Sequence, residues 1–138
     1  MKKLFVLLIS VGFLFSLTAS AQSSAWYQTP EGQVSCKKIN DQGDRLRVVF
    51  DNGEKKNIPA ASVSSYFIDD KLFVKKELFT DGVKQEQFME FLKTRDDMSL
   101  FLFSDKGSYR YLVYKGDELF VEVLEGNRDE FMRFFHMN

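Results

Sequence analysis

MSLFLFSDKGSYRYLVYKGDELFVEVL, residues 98–124, decides the fold class. Three apolar or aromatic segments stand in it, separated by Asp105-Lys106-Gly107 and Lys115-Gly116-Asp117. Gly and Asp supply the positive φ angles and local side-chain bonds that tight turns need. Residues 98–103 are apolar on both faces of a strand, so this is expected to be the most buried strand, with Phe101 and Phe103 both covered. Residues 109–114 pair back, with Tyr109 and Tyr111 on one face and Arg110 on the other. Residues 119–124 complete an antiparallel meander of three strands.

The same grammar extends upstream. Residues 71–78 and 62–68 read as strands joined by Asp69-Asp70, and Thr80-Asp81-Gly82 breaks the first of them. Residues 45–50 place Leu46, Val48 and Phe50 on one face, opposite Arg45 and Arg47. Asp51-Asn52-Gly53 then predicts a tight primed hairpin returning along residues 55–58. Pro59 ends that pairing, because it has no N–H for the ladder. Val34 and Cys36 mark a weaker first strand. Residues 83–92 change period: Phe88, Phe91 and Leu92 fall at i, i+3 and i+4 with Glu86, Gln87 and Glu90 between, which predicts a short amphipathic helix. Asn127 with Glu130 three residues on predicts a capping box for a final helix, with Phe131, Phe134 and Phe135 as its apolar face. The expected class is α+β, predominantly antiparallel β meander and hairpins with one or two short amphipathic helices. Asp70-Lys71-Leu72-Phe73-Val74 resembles Asp117-Glu118-Leu119-Phe120-Val121, and Phe88-Met89-Glu90-Phe91-Leu92 resembles Phe131-Met132-Arg133-Phe134-Phe135. Such paired words predict an internal duplication of a strand-rich unit.

The chain begins with an export pattern. Lys2 and Lys3 precede an uncharged run over residues 4–17, and Ala19-Ser20-Ala21 places small residues where a signal peptidase reads. The run is short for a spanning helix. Cleavage is expected between Ala21 and Gln22, giving a periplasmic or extracellular product with no stable membrane span. Residues 1–21 are therefore assigned as signal peptide, 22–32 as a leader held by Trp26 and Tyr27, and 33–138 as one strand-rich domain. The mature chain would hold 17 basic and 20 acidic residues, a net charge of −3, which removes the basic footprint that nucleic acid requires. With 44% hydrophobic residues and little net charge, the chain is not disordered. Its one cysteine, Cys36, cannot bridge within the chain and is expected as a buried thiol.

Catalytic inventory is thin. His136 is the only histidine and sits near the C-terminus. The hydrolase, metalloprotease, nucleotide-loop and dinucleotide signatures are absent. Residues 40–44 lack the residue order of a calcium loop and read as a turn. No metal or cofactor is implied. Carboxylates remain, because a glycosidase needs only two of them placed about 5–10 Å apart; Glu77, Glu86, Glu90, Glu122, Glu125 and Glu130 are available. Tyrosine is the more informative residue type, since a phenol is stable half-exposed. Tyr109 and Tyr111 share a strand face, and Tyr66 takes the equivalent place if the halves are duplicated. These three are the candidate binding residues, for a protein or glycan partner. The reading is an exported, non-enzymatic binding or assembly module of the cell envelope. The alternative is a small carboxylate-dependent enzyme acting on glycan or peptidoglycan.

The leader Met-Lys-Lys-Leu-Phe with Ala-Ser-Ala-Gln is similar to signal peptides of Bacteroidota envelope proteins. Residues 88–124, with Ser-Leu-Phe-Leu-Phe followed by Tyr-Arg-Tyr-Leu-Val-Tyr-Lys-Gly, resemble small secreted proteins of unknown function from those bacteria. That resemblance implies export and a strand-rich body. It lends no activity and no functional residue.

Overall fold

A computed structural model describes residues 25–137, and the expected signal segment lies outside them. Among the described residues, eleven strands form two antiparallel sheets. The larger has eight strands: β1 (Ala25–Thr29), β2 (Gly32–Cys36), β6 (Ser65–Ile68), β7 (Lys71–Thr80), β8 (Val83–Arg95), β9 (Met98–Asp105), β10 (Ser108–Lys115) and β11 (Glu118–Val123), in the order β11-β10-β9-β8-β7-β6-β1-β2. The smaller holds β3 (Lys38–Asp41), β4 (Arg45–Val49) and β5 (Lys55–Pro59). A 3₁₀ turn follows at Ala60–Ser62, and one α-helix, α1 (Arg128–Phe134), closes the described chain.

Two-residue turns set the register of the long meander from β6 to β11. Asp69-Asp70, Asp81-Gly82 and Lys106-Gly107 all have positive φ at both central residues, between 48° and 84°. That conformation matches the right-handed twist of the strands it joins. The Asp51-Asn52-Gly53 turn differs from expectation. Only Gly53 is at positive φ, 87°, while Phe50 N–H bonds to Glu54 O at 2.8 Å and Gly53 N–H to Phe50 O at 2.9 Å. This is a three-residue loop ending in a glycine bulge. Asn52 spends its side chain on the Glu54 N–H at 2.9 Å instead of turning left-handed.

Residues 83–92 do not form the expected helix; they belong to the 13-residue strand β8. Met89 and Phe91 point to one face, and Phe88 and Leu92 to the other. Residues 87–93 in its middle are partly or fully buried on both faces, so the apolar residues there run almost continuously and counterfeit a helical spacing. A bulge at residues 91–93 sets Leu92 and Lys93 against Leu100. Of the two pairs of words, residues 70–74 and 117–121 both run from a turn into a strand, whereas 88–92 is strand and 131–135 a helical end. The stretch expected as a leader also enters the sheet: β1 pairs with both β2 and β6, with Ala25 and Tyr27 buried. Trp26 lies on the opposite face and stacks on Phe67 at 5.9 Å. The Asn127 capping box is absent. Asn127 Oδ1 accepts the Leu124 N–H at 2.7 Å and Nδ2 donates to Glu122 O at 3.2 Å, so its side chain ties the helix back to β11.

Three apolar clusters hold the fold. The first lies between the small sheet and one end of the large one, built from Tyr27, Cys36, Leu46, Val48, Ile58 and Tyr66. The second lines the opposite face: Leu78, Met89, Phe101, Leu112 and Tyr114. There the large sheet rolls until β11 comes near β7. Tyr114, from β10, donates its hydroxyl to the Glu77 carbonyl of β7 at 2.7 Å, and the Lys76 ammonium donates to Gly116 O at 3.1 Å. The third cluster, Leu100, Val113, Val123 and Phe135, sits under α1. Phe101 is buried as expected, whereas Phe103, nearer the hairpin end of β9, is only partly covered. The most deeply buried run falls on β10, at residues 112–114.

Candidate functional site

One row of paired residues crosses the whole large sheet: Val34, Tyr27, Tyr66, Phe73, Glu90, Leu102, Tyr111 and Val123. Directly opposed residues share a face, so all eight point the same way. The small sheet covers the row at its Val34 end and α1 covers it at its Val123 end. Between the two covers, Phe73, Glu90 and Leu102 are only half-buried. A trough of about 480 Å³ lies there, lined also by Asp41, Phe88, Ser104 and Tyr109. Covering two ends of a curved sheet with separate elements leaves this strip open by construction.

The structure places the three candidate tyrosines unequally. Tyr109 is 69% exposed at the edge of the trough. Tyr66 also lines it, but its own ring is buried, stacked on Phe73 at 4.7 Å and edge-on to Phe88 at 5.0 Å. Its hydroxyl donates to Asp41 Oδ2 at 3.3 Å, and burial first, then the Asp41 carboxylate, push its pKa far above the usual phenol value. Tyr111 is half-buried against the cluster beneath α1. Tyr66 and Tyr109 therefore meet at one trough, Tyr66 as wall and Tyr109 as open ring, and Tyr111 serves the helix side.

Both trough carboxylates already have partners. Asp41 Oδ1 accepts the Gly43 N–H at 2.9 Å while Oδ2 holds Tyr66. Glu90 pairs with Lys71 at 3.8 Å. Three of the other candidate acids, Glu122, Glu77 and Glu86, are engaged elsewhere. Arg110 grips Glu122 in a two-pronged contact at 2.7 and 3.0 Å, and that bond holds the Glu122 carboxyl below the usual range. Glu77 pairs with Lys84 at 2.9 Å, and Glu86 with Lys75 at 4.0 Å. A second cleft, about 620 Å³, contains Lys75, Lys76, Glu77, Glu86 and Asp117. Its cations are satisfied within the fold: Lys75 also donates to Ala60 O, and Lys76 to Gly116 O and Asp117. Lys76 further lies 5.4 Å from the Phe101 ring and 5.7 Å from the Tyr114 ring. This cleft is built by structural ion pairs.

Cys36 is buried, as expected, and burial raises its thiol pKa to about 11. Sequence reasoning named Glu90 only as one of six carboxylates and passed over Asp41, Phe73 and Leu102. The signal available for Glu90 was its isolation, a single charge within the apolar run 88–92. No protein-family model, curated protein or solved structure matches this chain. Among the described residues, no helix is long and apolar enough to cross a membrane.

Proposed function

We propose that this protein is an exported, non-enzymatic binding or assembly module of the bacterial cell envelope, with the trough between the small sheet and α1 as its contact site. One observation carries the reading. The uncovered strip of the large sheet presents an exposed tyrosine ring beside half-buried Phe73 and Leu102 and two polar side chains, Asp41 and Glu90. An apolar floor with a few placed polar groups is the usual composition of a binding site. The Lys2-Lys3 start, the apolar run and the Ala-Ser-Ala site support export. Asp41 and Glu90 share the trough and so lend the carboxylate-enzyme alternative a pair there. Each is committed to a fold contact, which favours binding over proton transfer.

The test is binding of the labelled protein to isolated envelopes of the bacterium that makes it. Tyr109→Ala should weaken binding about tenfold or more, as loss of an anchoring aromatic does. Phe120→Ala, which removes another exposed ring, on β11, should not. Equal binding by both variants would remove the trough from the reading. Hydrolysis of envelope glycan that is lost in Glu90→Gln would move the assignment to the enzyme.

A further inference from the structure

The chemistry of the trough narrows its ligand. Resting on the binding reading above, we infer that the trough takes a neutral, unbranched oligosaccharide of pyranose sugars. The side chains at its surface are of three kinds: one open phenol ring, partly covered apolar side chains, and oxygen-bearing polar groups. Tyr109 is an exposed ring at the edge of the trough, and the negative quadrupole of an aromatic face suits the slightly positive C–H face of a pyranose. Asp41 and Glu90 have acceptor capacity beyond the bonds they already make, because a carboxylate has about four lone-pair sites. Ser104 adds a hydroxyl that both donates and accepts. A sugar, carrying a C–H face and a rim of hydroxyls, matches that combination on one molecule.

Other ligands fit worse. Two carboxylates at the trough repel a uronic acid or a phosphate-bearing chain. A cationic peptide would bring its charge beside the Lys71 ammonium, which lies 3.8 Å from Glu90. An apolar protein surface would find only one widely exposed ring there, since Phe73, Phe88 and Leu102 are already partly covered. The strip between the two covers leaves Phe73, Glu90 and Leu102 half-buried, so an unbranched chain would lie along it with a cover on either side.

The probes are soluble hexasaccharides of the cello-, xylo-, manno-, laminari- and chito- series. Each is titrated into the isotope-labelled purified protein to about 10 mM, which occupies even a millimolar site. At least one should shift the resonances of Glu90, Leu102 and Tyr109. Tyr109→Ala should weaken that binding about 30-fold. Tyr109→Phe, which keeps the ring, should bind within a few-fold of the unaltered protein. Tyr109 is largely exposed, so both variants should keep the native spectrum elsewhere. Shifts confined to residues outside the trough overturn the inference, as does the absence of shifts with every sugar. If those results come with envelope binding that still depends on Tyr109, the trough remains a contact site and only the ligand class falls. If envelope binding is also insensitive to Tyr109, the broader reading falls with it.

Discussion

Phe101→Ala probes the packing inside the rolled half of the large sheet. The Phe101 ring is 3% exposed and edge-on to Phe91 at 5.7 Å and to Tyr114 at 5.5 Å. Its loss removes a buried aromatic side chain, which costs about 3–5 kcal/mol including the cavity left behind. The walls resist collapse. Tyr114 is anchored through its hydroxyl to Glu77 O, and Leu112 and Met89 are held in register by β10 and β8. The upper half of that range therefore applies, about 4–5 kcal/mol, against about 5–15 kcal/mol for a domain of this size. With a urea slope of about 1.5–2 kcal/mol per molar, the midpoint should fall by about 2–3 M. Urea titration followed by circular dichroism reads this directly. Phe103→Ala should shift it less, because that ring is only partly covered, and Phe79→Ala, 62% exposed, should barely shift it. A Phe101→Ala midpoint within about 0.5 M of the parent would refute the rolled core.

Other expectations follow from single contacts. Tyr114→Phe removes the bridge from β10 to β7 and should cost about 1 kcal/mol in the same titration. Glu122 has its pKa lowered by the Arg110 bond, so its contribution to stability is present above the ordinary carboxylate range and lost as pH falls through the folded-state value; Glu122→Gln should flatten the acid limb of a stability-versus-pH curve. Tyr114 titrates at about 12 in the folded protein because burial disfavours the phenolate. Between about pH 9 and pH 11 the rise in phenolate absorbance should therefore be the same in Tyr114→Phe as in the parent. Cys36, buried and with its pKa near 11, should be unreactive to iodoacetamide in the native protein and modified once urea unfolds it.

Much of the sheet was legible because turns carry strong local chemistry. Asp69-Asp70 and Lys106-Gly107 were read as turns between strands and are so, whereas Asp81-Gly82 was read only as a break. The meander from β9 to β11 was read correctly for that reason. β8 was misread because its environment is tertiary: the small sheet and α1 cover one face and the roll covers the other, so alternation vanished from the pattern. Glu90, the residue that completed the helical look, sits where neither cover reaches. β1 was hidden by its Ser, Gln and Pro neighbours, although Ala25 and Tyr27 alternate with Trp26. The trough was half legible. Tyr109 and Tyr66 were chosen for being phenols, but the row that links Tyr66 to Phe73, Glu90 and Leu102 depends on strand order, which no local spacing encodes.

The most direct test of the trough as the contact site is photo-crosslinking in the organism that makes the protein. A photo-reactive amino acid replaces Tyr109 in one strain and Phe120 in another; both positions are open, but only Tyr109 lines the trough. Irradiation should yield a covalent adduct from position 109 and none from position 120. An adduct from position 120 with nothing captured at 109 would contradict the account.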